Sequence, residues 1–279
     1  MAKTVLITGA NSGIGLEAAR QLAGKGFQIL AWCRNAEKGK AALEQINAVN
    51  AEPKHDLVLA DLGDLEAVKA AAIDVRDRYP QLNVLLNNAG YYPKQVNFVE
   101  GIEQSLYACQ LGHMLLSLTL MPSLEASGDG RIINVSSAAH NWGRFERLFN
   151  APEKYSETQV YGDVKLANIL LTKGLVKRAG SNVTSYSLHP GAVNTNFGEN
   201  LSGFFKVLIT IFKPLLITPE KGARTSTFLS SAPIGQLKRH NGEYYVKERP
   251  KKVAHRDVNE QNADALWDKS MEFLQPYLN

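Results

Sequence analysis

Tyr161 and Lys165 stand four residues apart in a helix-like run, and that step brings two helical side chains onto one face. A phenol beside an ammonium makes an acid/base pair. Free tyrosine ionises at about pH 10, and a neighbouring cation stabilises the phenolate and lowers that value. Tyr-x-x-x-Lys alone is weak evidence, because any exposed helix carries it by chance; its weight depends on what else the chain holds. At the amino end an apolar run, KTVLIT at 3–8, leads into TGANSGIG at 8–15 and then into a helical pattern. Gly9, Gly13 and Gly15 remove Cβ atoms where the chain must turn, and free amides at a helix start attract anions. Gly9, Asn11, Ser12, Gly13, Ile14 and Gly15 are therefore candidate contacts for the pyrophosphate of a dinucleotide. The spacing is G-x-x-x-G-x-G rather than the widespread G-x-G-x-x-G; a plain glycine turn from strand to helix would read the same way.

A second apolar run, 27–31, is followed by WCRN at 32–35. An acidic residue near the end of this strand holds the ribose hydroxyls of NAD, whereas an arginine suits the extra phosphate of NADP. Arg34 thus points to NADP, against the alternative of a solvated surface arginine; Lys38 either assists or is a free helix side chain.

These residues, with ADL at 60–62, NNAG at 87–90, NVSS at 134–137 and HPGAVNT at 189–195, occur in one order, and the chain resembles the short-chain dehydrogenases/reductases over almost its whole length. LGH at 111–113, KLAN at 165–168 and HPG at 189–191 are similar to the branch of retinol dehydrogenases and related carbonyl reductases. The resemblance implies an enzyme using NADPH, with Tyr161 as general acid/base, Lys165 tuning it and binding the nicotinamide ribose, and Ser137 holding the substrate oxygen. It also implies that Asp61 and Leu62 face the adenine, that Asn87 and Asn88 line the cofactor cleft and brace the sheet, and that Val193 and Thr195 hold the nicotinamide amide. Each has a rival reading: Ser137 satisfying loop amides, or Asp61 capping the helix that starts near Asp64. The implied reaction moves hydride between the nicotinamide and the carbon of a lipophilic aldehyde, ketone or alcohol, while Tyr161 exchanges the proton.

One position departs from the family pattern. Cys109 lies three residues before Gly112, where the family has an asparagine that binds a water linking the lysine to solvent. A thiol hydrogen-bonds far more weakly than an amide. Either another group serves the relay, or the chain keeps the cofactor and loses turnover, which would make it an NADPH-binding regulator. Six histidines and two cysteines show no zinc spacing, so no metal is expected.

The elements that must position these residues follow from periodicity. Strands are predicted at 3–8, 27–31, 56–60, 83–87, 130–135, 182–188 and 243–247, and helices at 14–25, 36–48, 64–78, 100–126, 156–179, 219–231 and 260–275. Such alternation predicts a single-domain α/β Rossmann fold over 1–279, a doubly wound parallel sheet of seven strands with helices on both faces. A hydrophobic content of 44% is ample for that core. Two cysteines, Cys33 and Cys109, give no disulfide framework, and no leader precedes the first strand, so a cytoplasmic location is expected. A net charge of +4 is too mild to argue for nucleic acid, and the basic run at 247–256 reads as a solvated face.

Two regions depart most from the family frame and are expected to choose the substrate: a loop at 138–160, with His140, Trp142, Phe145 and Phe149, and a lid around 194–218. Within the second, 201–217 reads LSGFFKVLITIFKPLLI, too short and too interrupted to span a membrane. A lid over a lipophilic substrate, a subunit contact and a membrane-surface helix are its three readings, the lid being preferred. The family also implies a homodimer or homotetramer built through two long helices.

Overall fold

The computed structural model describes residues 2–193 and 216–278. In chain order its main elements are β1 (Thr4–Thr8), α1 (Gly13–Ala23), β2 (Gln28–Cys33), α2 (Ala36–Asn47), β3 (Asp56–Leu59), α3 (Leu65–Arg78) and β4 (Val84–Asn87). There follow α4 (His113–Thr119), α5 (Met121–Ala126), β5 (Gly130–Val135), α6 (Glu157–Arg178), β6 (Val183–His189), α7 (Pro219–Ser231), β7 (Tyr244–Val246), β8 (Arg249–Pro250) and α8 (Glu260–Leu278). The main sheet runs β8-β7-β6-β5-β4-β1-β2-β3. Every pairing is parallel except β7 with β8. This is a Rossmann-like α/β fold. It has eight strands rather than seven because the chain after β7 turns back at Lys247 and Glu248, both at positive φ, and adds a two-residue antiparallel edge.

The central strands are apolar on both faces because helices cover both, so β1 and β4 have no exposed residue. One hydrophobic cluster lies under α3, α4, α6 and α8, and a second under α1 and α7. Side-chain caps start most helices at the positions expected: Asn35 accepts from Lys38 N, Asp64 from Ala67 N and Thr218 from Lys221 N. Ser156 and Gln159 form a reciprocal capping box at the head of α6. Helix α6 is buried along most of its length between sheet and α8; truncating its fully buried Leu170 to alanine would cost about 2–5 kcal/mol.

The predicted helix at 100–126 is interrupted. A hairpin of Phe98–Val99 with Ile102–Glu103 comes first, then a short turn and a π-helical segment, Tyr107–Gly112, leading into α4. Gly112 passes against the carbonyl of Leu62, where a Cβ would collide with the oxygen. Pro122, lacking an amide hydrogen, then starts α5 as a separate helix. π-turns inside helices are frequent at functional sites, and this one carries Cys109.

Candidate active site

The glycine loop joins β1 to α1 at the carboxyl end of the sheet. Gly9 and Gly13 adopt φ of +66° and +55°, which side-chain-bearing residues avoid. At Gly15 a Cβ would overlap the Gly9 carbonyl and lie 2.5 Å from Asn88 Nδ2. Ser12 is extended and its side chain makes no cap hydrogen bond, so the first amides of α1 are left for a ligand. Asn11 and Ile14 are partly exposed beside this turn, and Ile14 also faces Gly222 of α7. A dinucleotide pyrophosphate would be met by the free amides at the start of α1, while Gly15 packs so closely on Gly9 and Asn88 that a methyl group there would collide.

Arg34, exposed at the end of β2, lies 4.0 Å from Asp61, itself exposed; screening leaves such a pair little energy. Asp61 accepts from Gly63 N at 2.9 Å, and the cap of α3 is Asp64, not Asp61. Leu62 is buried beneath it. Arg34 and Asp61 therefore stand side by side on one exposed rim.

Asn88 ties the loop after β4 to β1: its side-chain amide donates to Thr8 O at 2.8 Å, while the amides of Asn88 and Ala89 both donate to Thr8 Oγ1. Asn87 is buried, and its amide donates to Asn134 Oδ1 at 2.9 Å and Ser117 Oγ at 3.2 Å. From there a polar line crosses the core: Asn134 donates to Thr172 Oγ1, which donates to Asn168 O, and Asn168 donates to Val135 O at 3.0 Å. Val193 pairs with Ile217 and packs against Gly222, where a Cβ would be 2.6 Å from it. Thr195 lies outside the described residues, as does most of the expected lid.

Ser137, Tyr161 and Lys165 converge where β5 ends and α6 begins. Ser137 accepts from Ala139 N at 3.2 Å, so it does satisfy a loop amide, and its hydroxyl also acts on Tyr161, easing ionisation of the phenol. Lys165 is buried; its Nζ donates to Val135 O at 3.1 Å and sits 5.5 Å from the centroid of the Tyr161 ring. Gly90 leaves room for it, since a Cβ there would lie 3.1 Å from Nζ.

The expected lowering of the tyrosine pKa is not found. Burial pushes Tyr161 up to about 12, the Ser137 hydrogen bond only partly offsetting it, and burial also lowers Lys165. Desolvation outweighs any help from the ammonium, which lies over the ring and donates to a backbone carbonyl.

Cys109 is buried and its thiol is pushed up to about 11 by desolvation, which marks it as inert. Its carbonyl accepts from His113 Nδ1 at 2.8 Å, and His113 Nε2 lies 2.9 Å from Thr8 Oγ1. This links the π-turn to the glycine-loop strand through a neutral imidazole, with burial holding His113 down to about 4.

The 138–160 loop opens as a 3-10 turn, Ala138–Trp142, in which His140 Nδ1 donates to Ser137 O at 2.6 Å. Trp142 is exposed, whereas Phe145 and Phe149 pack toward the core, Phe149 stacking on Phe273 of α8 at 6.0 Å. Around Tyr161 stand groups that sequence reasoning missed. Tyr92 lies 5.7 Å from its ring and is held by Thr158, and Tyr244 stacks edge-on to His140 at 5.2 Å. His189 accepts from Ala138 N and is held down to about 4 by burial. Asn134, Asn168, His113 and His189 all fall inside segments that stood out in the sequence, so a signal was there; Tyr92, Tyr244 and Asp163 had none. Among the described residues no group of acidic, histidine and cysteine side chains could hold a metal ion.

Comparison with known proteins agrees with this geometry. The family model for short chain dehydrogenase matches residues 3–203. Retinol dehydrogenase 12 of Homo sapiens is 36% identical over 282 residues, covering 98% of this chain and 86% of that protein. Retinol dehydrogenase 11 of Mus musculus is 36% identical over 278 residues with the same coverage. Among solved structures, a protein of Beutenbergia cavernae described as an NAD(P)-dependent gluconate 5-dehydrogenase, with NADP at low occupancy, superposes with a TM-score of 0.69 at 25% identity, over 88% of this chain and 94% of that one. The glycine cradle, the Tyr161 and Lys165 pair on α6, and these matches establish that the chain belongs to the short-chain dehydrogenase family, as a retinol dehydrogenase-like member.

Proposed function

We propose that this oxidoreductase uses NADP(H) to interconvert a lipophilic aldehyde or ketone and its alcohol. The observation that carries the reading is the convergence of Ser137, Tyr161 and buried Lys165 where β5 ends and α6 begins, with the Ser137 hydroxyl placed to ease ionisation of the phenol. The phenol, held protonated, is an acid ready to deliver a proton to a carbonyl oxygen, and Ser137 orients that oxygen. A nicotinamide bound along the cradle would supply or accept the hydride. Lys165 and Asn168, both fixed to Val135 O, hold the tyrosine's helix face against the strand end. Arg34 supports NADP over NAD, and Val193 is read as a contact for the nicotinamide carboxamide.

The relatives' names supply the substrate class, a long apolar polyene aldehyde or alcohol being one member of it. The same reading includes a homodimer or homotetramer; because α8 covers α6, its contacts would run over α8. A cytoplasmic location is supported by two buried free thiols. Among the described residues no helix is long and apolar enough to cross a membrane; we keep membrane-surface contact as the weaker alternative. The test is consumption of NADPH and of NADH with retinaldehyde, aliphatic aldehydes and ketones. Turnover with NADPH that Tyr161→Phe abolishes while still binding NADPH supports the reading; binding without turnover on any carbonyl would make the chain a cofactor-binding regulator.

A further inference from the structure

The 23 residues between Ser137 and Tyr161 begin and end on the two hydroxyls of the site, so whatever fixes that connection also fixes their separation. Asp163 lies two residues beyond Tyr161 on α6, with its side chain only 1% exposed. Its carboxylate takes four hydrogen bonds, all from the connection. Oδ1 accepts from Arg144 N and Arg147 Nη2, both at 2.7 Å; Oδ2 accepts from Arg147 Nε at 2.8 Å and Tyr155 Oη at 2.6 Å. We propose that Asp163 is the positioning residue of this site, a buried clamp that locks the 138–160 connection onto α6 and thereby sets Ser137 and the substrate wall against Tyr161.

The path from clamp to site is short. Arg147 Nη2 also donates to Trp142 O at 2.8 Å, and the neighbouring Gly143 lies so close to α6 that a Cβ would be 2.7 Å from Gly162 O. His140, at the other end of the same turn, reaches Ser137 O. From outside, Asp257 accepts from Phe145 N at 3.0 Å and Phe273 stacks on Phe149, so the segment leading into α8 and α8 itself close the clamp from behind.

A purely stabilising ion pair is the competing explanation. A buried pair gains little net stability over an apolar substitute, because two charges must be desolvated. What the forked guanidinium and a fully subscribed carboxylate do supply is one fixed geometry. The inference rests on the carbonyl reductase reading above, but one of its readouts does not need turnover. Trp32 and Trp267 are 1% and 9% exposed and Trp142 is 51% exposed, so acrylamide quenching of tryptophan emission reports mainly on this connection.

The variants are Asp163→Asn, Arg147→Lys, which keeps the charge and loses the fork, and Tyr155→Phe, which removes one hydrogen bond. Expected in folded Arg147→Lys and Asp163→Asn are a retinaldehyde KM raised about tenfold, an NADPH Kd within about twofold of the parent, and increased quenching of Trp142. Tyr155→Phe should show the same pattern in smaller measure. If Asp163→Asn does not fold, the other two carry the test. The proposal is overturned if KM and quenching stay at parent values, or if NADPH affinity falls in step with KM. Should the parent protein turn over no carbonyl, the functional reading fails, while Trp142 quenching still decides the clamp.

Discussion

The ammonium of Lys165 lies over the ring of Tyr161, 5.5 Å from its centroid, and donates a hydrogen bond to Val135 O. A cation over a π face is attracted to the ring, but it does little for a charge on the oxygen at the ring's edge. Burial therefore dominates and Tyr161 remains a protonated acid.

From that follows a pH profile. The acid form is present below the pKa, so with Tyr161 near 12 the kcat/KM for NADPH-driven carbonyl reduction should stay level from about pH 6 to 9 as far as this group is concerned. A descending limb centred near neutrality, absent in a control measurement of protein stability, would show that the phenol ionises far more easily than its surroundings imply.

Arg34 is exposed, and its ionic neighbour among the described residues, Asp61, is 4.0 Å away and exposed too. A phosphate on the ribose would be a better partner than this screened carboxylate. Arg34→Asp should lower kcat/KM with NADPH by about 1.5–3 kcal/mol in transition-state terms while leaving NADH little changed. An unaltered NADPH to NADH ratio would remove Arg34 from the phosphate site.

Gly15 is the tightest point of the cofactor cradle, with backbone of Gly9 and the amide of Asn88 where a methyl group would go. Neither neighbour is free to yield, because Asn88 is bonded to Thr8 O and Gly9 N to Trp32 O. Gly15→Ala should cost about 1–3 kcal/mol in unfolding free energy and weaken NADPH binding further. Denaturant unfolding and a cofactor titration measure the two effects separately; a variant with parent stability and affinity contradicts the crowding.

Cys109 raised the question whether the site has lost its relay. The carbonyl of residue 109 is already held by His113 Nδ1, and the side chain is fully enclosed. Cys109→Asn would bury an amide with several hydrogen-bonding sites to satisfy. We expect a stability loss of about 1–3 kcal/mol with no gain in kcat. An increase in kcat at parent stability would mean that the thiol limits proton movement.

The alternation of strands and helices was legible because both faces of the sheet are covered, which makes the central strands β1, β2 and β4 largely apolar runs. Helix starts at 64, 156 and 219 were legible from periodicity, but the cap offered for the third helix was Asp61, where the fold uses Asp64. The break at 107–112 was not: its cause is the approach of Gly112 to Leu62 O, a contact between residues fifty positions apart that no local pattern records. The eighth strand escaped notice because two residues carry no periodicity. In the site, Tyr161, Lys165 and Ser137 announced themselves by type and spacing, yet the position of the ammonium beneath the ring depends on Val135 O and Gly90, which spacing cannot convey. Asp163 was silent because a carboxylate on a helix reads as a solvated charge until its four donors are seen.

His113 supplies the last test. Its Nδ1 faces Cys109 O, its Nε2 faces Thr8 Oγ1, the nearby Lys165 ammonium opposes a second positive charge, and burial holds its pKa near 4 against an ordinary 6.5. The folded protein thus favours the neutral ring. As pH falls below 6.5 the unfolded chain takes up a proton that the folded one refuses, so stability declines through the window from 6.5 to about 4 and then levels off for this group. At 1.36 kcal/mol per pKa unit the loss is on the order of 3 kcal/mol. His189, lowered to about 4 as well, and His55 and His140, lowered by burial, add slopes of the same sign, so the measurement compares variants. His113→Gln keeps a donor and an acceptor but no longer titrates, and should flatten the urea-derived stability between pH 6.5 and 4 by the share of His113 alone, leaving the other three histidines' slopes in place. A variant retaining the full acid slope would show that the buried imidazole is protonated in the fold, and the neutral bridge from the π-turn to Thr8 would have to be abandoned.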